Sequence, residues 1–95
     1  MIMRVVLNEK KVKKLGYTVE SCYGILNRLF AEFCICPEQQ GVYIGPDNQN
    51  MYNACSAALH RLPASSWFLK VVESWQWDLG SGFEDCLKAY NDTHN

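Results

Sequence analysis

The stretch Ser65-Ser66-Trp67-Phe68-Leu69-Lys70-Val71-Val72-Glu73-Ser74-Trp75-Gln76-Trp77-Asp78-Leu79 holds all three tryptophans of the chain, and its reading decides the fold. As a helix capped by Ser65 it would align Phe68, Val72, Trp75 and Leu79 on one stripe. As a strand it alternates Val71, Glu73, Trp75, Trp77 and Leu79 against Val72, Ser74, Gln76 and Asp78. Regular alternation begins only after Val72, so the segment reads as a helix from Ala64 to Glu73 followed by a strand from Ser74 to Leu79. In that strand Trp75 and Trp77 share a face. Three indoles so close together make either a tight aromatic core or an adhesive surface.

Upstream, Met3-Arg4-Val5-Val6-Leu7 is a β-rich run ended by Asn8, and reads as a strand. Asn8 then caps a short helix, Glu9 to Leu15, with a carboxylate in the first turn, lysines behind it and Gly16 as the stop. Thr18 caps the most regular helix of the chain. There Val19, Cys22, Tyr23, Leu26, Leu29, Phe30 and Phe33 recur at three- and four-residue steps, and Glu20, Ser21, Asn27, Arg28 and Glu32 take the wet side. Gly24, among larger residues, suggests close approach of another element. Glu38-Gln39-Gln40 reads as a loop, Gly41-Val42-Tyr43-Ile44-Gly45 as a short strand, and Pro46-Asp47 as the opening of a helix. That helix carries Met51, Cys55, Ala58 and Leu62 on one face and ends at Pro63. Downstream, Gly80-Ser81-Gly82 forms a turn. Ser81 with Glu84 makes a capping box for a last helix burying Phe83, Cys86, Leu87 and Tyr90.

These elements predict a small two-layer α+β domain, residues 1–91, followed by a polar tail at 92–95. Its short sheet has about three strands, near Val5, Tyr43 and Trp75, and four to five helices cover mainly one face. At 95 residues there is room for one core, and 48% hydrophobic against 20% charged side chains excludes bulk disorder. No run approaches the roughly 20 apolar residues a membrane span needs, and Arg4 interrupts the only apolar start a secretory signal would use. The five cysteines, Cys22, Cys34, Cys36, Cys55 and Cys86, are an odd number without paired spacing. They suit reduced thiols and a cytoplasmic setting rather than a disulfide framework.

The residue types that carry chemistry do not converge. Cys34, Cys36, Cys55 and His60 could offer soft ligands to zinc, but their spacing departs from the paired pattern of structural sites, so no metal or cofactor is expected. A cysteine nucleophile would need a placed base, and only His60, near a helix end, and His94, in the tail, are present. Glu73, Asp78, Glu84 and Asp85 read as a solvated face rather than paired catalytic carboxylates. The glycines at 41 and 45 lack the Lys-Ser/Thr of a phosphate cradle. The sequence therefore offers no catalytic constellation.

Two binding classes stay open. The first is a small intracellular interaction protein of the inhibitor, antitoxin, adaptor or subunit type, holding a protein partner or a second copy of itself through an aromatic face of Trp67, Trp75, Trp77 and Tyr43. The second is a nucleic-acid-associated regulator using Lys10, Lys11, Lys13 and Lys14. Residues 1–14 carry +4 and residues 15–95 carry −5, a polarity that suits phosphate at one end. An isoelectric point near 6.1 opposes that second class.

Overall fold

The computed structural model describes residues 1–80 and 82–94, and the side chains of all of these except 83 and 91–94. In chain order the elements are β1 (Ile2–Leu7), α1 (Glu9–Lys14), α2 (Val19–Ala31), β2 (Pro37–Gln39), β3 (Val42–Ile44), α3 (Gln49–Ala64), α4 (Phe68–Val71), β4 (Val72–Asp78), β5 (Phe83–Asp85) and α5 (Cys86–His94). The class is α+β. The sheet, however, has five strands rather than three, in the order β2-β3-β1-β4-β5, with every neighbouring pair antiparallel. The two additional strands are three-residue edges. All of β2 is exposed, so it has no apolar alternation to betray it, and β5 is too short to show any. Pro37 opening one edge and Glu84 and Asp85 on the other blunt both against pairing with foreign strands.

β1 organises the core. Met3, Val5 and Leu7 are buried, while Arg4 and Val6 face outward. Met3 lies between Tyr43 and Trp77, and Val5 lies opposite Trp75, so these five residues tile one face of the sheet. Helices cover that face. Phe30 of α2 stacks on Tyr43 with ring centres 3.9 Å apart, Tyr52 of α3 meets Trp77 at 5.5 Å, and Phe68 of α4 meets Trp75 edge-on at 5.0 Å.

The tryptophan stretch divides differently from its sequence reading. α3 runs through Pro63, tolerated in its last turn, and Ser65 closes that helix instead of opening the next. α4 is a single turn, and the strand starts at Val72, two residues early. A register irregularity explains why: Leu7 pairs with Val72 but Val6 pairs with Ser74, leaving Glu73 as the extra residue. That shift changes the parity of the strand. It lets Val72, Trp75 and Trp77 all face the core, which strict alternation forbids.

Asn8 and Thr18 cap α1 and α2 as predicted, their side-chain oxygens accepting from the amides of Lys11 and Ser21 at 3.1 Å each. Asn48 rather than Pro46-Asp47 opens α3, accepting from Met51 N–H at 2.9 Å. Asp85 accepts from Lys88 N–H at 3.0 Å in the first turn of α5, and that helix continues to His94 through most of the stretch read as a tail. Ser81, read as its cap, lies outside the described residues. A Cβ at Gly24 would meet nothing within 4 Å, so no element approaches it closely. The demanding glycine is Gly41, at φ +79°. A Cβ there would collide with the Val5 carbonyl oxygen and sit 2.8 Å from the Tyr23 ring.

Candidate interaction site

The aromatic residues singled out in the sequence separate into two groups. Trp75 is 1% exposed, Trp77 4% and Tyr43 not at all, all three facing the helical layer. A two-indole platform is therefore absent from the surface of the folded chain, because the face shared by Trp75 and Trp77 is the one the helices cover. Both indole Nε1–H groups are buried with no hydrogen-bond partner among the described residues. Each such donor costs about 1–3 kcal/mol, which ring packing against Phe68 and Tyr52 offsets. The Tyr43 hydroxyl donates to Asn27 Oδ1 at 2.5 Å, and burial pushes its phenol well above the usual range.

Trp67 behaves otherwise. After α3 ends, the chain turns through Ser65 and Ser66 and brings the half-buried Trp67 over α2. There it lines a cleft of about 130 Å³ with Tyr17, Ser21, Cys22 and Ile25. Tyr17 and Ile25 are large side chains left 46% and 39% exposed. Ile25 also lines a second cleft, of about 360 Å³, walled by Arg28, Leu29 and Glu32 on one side and Arg61, Leu62 and Ser65 on the other. The two clefts share Ile25, and together they are the groove along α2. Its α2 wall, positions 21, 25, 28, 29 and 32, follows the helical repeat for about 16 Å, and Tyr17 adds to it from the turn before the helix. Its floor is apolar, and its far end is bridged by an exposed Arg61–Glu32 ion pair at 2.7 Å, a geometry worth about 0–1 kcal/mol.

Nothing in the tryptophan spacing pointed here. The available signal was Tyr17 and Ile25, two apolar residues off the buried stripe of α2.

The lysines occupy α1, whose Val12 is buried while Lys10, Lys11, Lys13 and Lys14 are exposed. None of the four makes an ion pair among the described residues. Lys13 lines a hollow with Glu9, Tyr17, Thr18, Val19 and Glu20, so Tyr17 connects the basic helix to the groove.

The residues weighed as metal ligands are not brought together. Cys55 is in the core, Cys34, Cys36 and His60 are exposed, and no group of three potential ligands forms among the described residues. All five cysteines are free thiols. Burial pushes Cys55 up to about 11 and Cys86 up to about 12, and raises Cys22 as well. The sheet face away from the helices carries Ile2, Arg4, Val6, Val42 and Ile44 beside Ser74, Gln76 and Asp78, with Val6 and Ile44 exposed. No helix among the described residues is long and apolar enough to cross a membrane.

No protein-family model, curated protein or solved structure matches this chain.

Proposed function

We propose that the chain is a small non-enzymatic interaction protein, of the inhibitor, antitoxin, adaptor or subunit type, that holds a protein partner in the groove along α2. The observation that carries this reading is Trp67, the one indole left out of the core, sharing a cleft with the exposed Tyr17 and Ile25. Tryptophan and tyrosine in a partly enclosed apolar cleft are the side chains that most often dominate binding energy, and a polar rim around them excludes water from the contact. Ser21, Ser65, Arg28 and Arg61 form such a rim.

The test is site-specific photo-crosslinking in cells, comparing position 25 with position 49, which is exposed on α3 away from the groove. A discrete adduct from position 25 alone supports the reading, and an adduct of twice the chain's mass identifies the partner as a second copy. Equal adducts from both positions, or none from position 25, overturn it.

A second reading, nucleic-acid association through α1, draws support from its four exposed ammonium groups, which have no ion-pair partner among the described residues. Affinity for a single-stranded oligonucleotide that falls steeply with salt and vanishes on changing Lys10, Lys11, Lys13 and Lys14 to Gln would favour it over the groove.

A further inference from the structure

We infer that the groove along α2 accepts an acidic amphipathic helix of the partner, an inference that rests on the groove reading above. Shape gives the first argument. The groove is walled by side chains of α2 on one side and of the end of α3 and the α3–α4 connection on the other. It is lined by helix surfaces rather than an open strand edge, so an occupant must be recognised through side chains at helical spacing rather than by strand pairing. Its helical wall of about 16 Å matches about 11 residues of helix. The cleft beside Trp67 takes one leucine- or phenylalanine-sized anchor, and the surface formed by Ile25, Leu29 and Leu62 takes a second, one or two turns away.

Charge gives the second argument. At one end Arg28 donates its Nε–H to the Gly24 carbonyl at 3.3 Å and has no carboxylate partner among the described residues, while Arg61 shares Glu32. At the other end Tyr17 adjoins Lys13, with Glu9 and Glu20 in the same hollow and neither paired with it. Lys10, Lys11 and Lys14 extend the basic surface along α1. Arg28 and Arg61 thus line the groove against the one carboxylate Glu32, and the four lysines of the neighbouring α1 stand against Glu9 and Glu20, in a chain whose net charge is −1. Carboxylates flanking an apolar stripe are the complement of that arrangement, and they would set orientation and association rate more than total affinity.

The experiment is selection of a displayed random library of peptides about 14 residues long, enough to span the groove as a helix, on the full chain, with each winner then measured against the Ile25→Glu variant. Enrichment of aliphatic or aromatic residues three and four apart, flanked by Asp or Glu, is the expected result. A synthetic winner should lose about tenfold in affinity when its acids are changed to Lys, and Arg28→Glu should narrow that difference. Apolar winners with basic flanks, or with no charge bias, overturn the acidic partner and leave the groove standing. Winners that bind Ile25→Glu equally, or no enrichment at all, overturn the groove itself. Winners that are acidic without apolar spacing, and that an oligonucleotide displaces, assign the site to the lysines of α1 instead. Circular dichroism of Ile25→Glu and Arg28→Glu, both changes at exposed positions, separates lost binding from lost folding.

Discussion

Trp75 and Trp67 stand eight residues apart, and the chain uses them in opposite ways. Trp75 lies in a seven-residue strand paired on both sides, by β1 and β5, so its side-chain direction is set by the pleat and by a register that any slip would break. Trp67 precedes a one-turn helix, makes no capping hydrogen bond through its side chain, and is placed only by the turn that leaves α3. Identity of the side chain decided neither outcome. The number of backbone constraints on each side of it did, and a tryptophan held loosely at the edge of the core is the one available to a partner.

The largest effect follows from removing the strand indoles. Trp75→Ala or Trp77→Ala should cost about 3–5 kcal/mol, a large part of the stability of a chain this size. Thermal unfolding should lose its cooperativity or shift far downward. Had Trp77 faced a partner, the same variant would have weakened association and left the fold intact, so retention of a sharp transition would break the comparison. Trp75→Phe and Trp77→Phe sharpen it. Each keeps ring packing and removes a buried donor that has no partner among the described residues, so each should cost well under half of the alanine change.

The glycines give a second contrast between sheet and helix. Gly41 bonds the chain to β1, its carbonyl accepting from Val5 N–H at 2.8 Å, in a left-handed conformation with no space for a Cβ. Gly41→Ala should destabilise by about 1–3 kcal/mol, measured by urea unfolding. Gly24, inside α2 with open space around it, should respond with the opposite sign. Gly24→Ala should stabilise by about 0.4–1 kcal/mol through the helix propensity and the unfolded chain. A loss of stability in that variant would mean that α2 is packed more tightly along its flank than its exposed neighbours indicate.

The cysteines repeat the division in a measurable form. Cys55 and Cys86 are held above their ordinary value of 9.0, chiefly by burial, so the folded state keeps protons that the unfolded chain releases. Their contribution to stability is fully present below about pH 9 and is lost as pH rises through about 11 and 12. Denaturant midpoints should therefore fall above pH 9. At neutral pH a thiol reagent should label Cys34 and Cys36 quickly and the other three only on unfolding.

Much of this organisation was legible from residue periodicity, and the rest failed for identifiable reasons. β1, α2 and the apolar face of α3 carry regular repeats of buried residues, and Asn8 and Thr18 announce their caps. β2 and β5 have three residues each, fewer than any alternation needs. The strand start at Val72 was hidden by the register irregularity at Glu73, since a bulge is set by the partner strand and not by local sequence. Burial of Trp75 and Trp77 followed from which face the helices cover, a long-range fact. The groove was missed because its two walls come from segments some 40 positions apart, Tyr17 to Glu32 and Arg61 to Trp67, and only folding sets them side by side.

The smallest effect on stability should come from Trp67, and that smallness is what makes it informative. Half-buried at the mouth of a cleft, it touches Phe68 edge-on at 5.7 Å and has no partner strand, so Trp67→Phe should shift the unfolding midpoint by less than about 1 kcal/mol equivalent. Its emission should nevertheless account for nearly all of the acrylamide-quenchable fluorescence, because the other two indoles are almost fully covered. In Trp67→Phe the remaining emission should be blue-shifted and protected. A ligand seated in the groove should protect the wild-type signal and leave that of the variant unchanged. If quenching is undiminished in Trp67→Phe, the accessible indole lies in β4, and the strand has loosened enough in solution to expose what its pairing should bury.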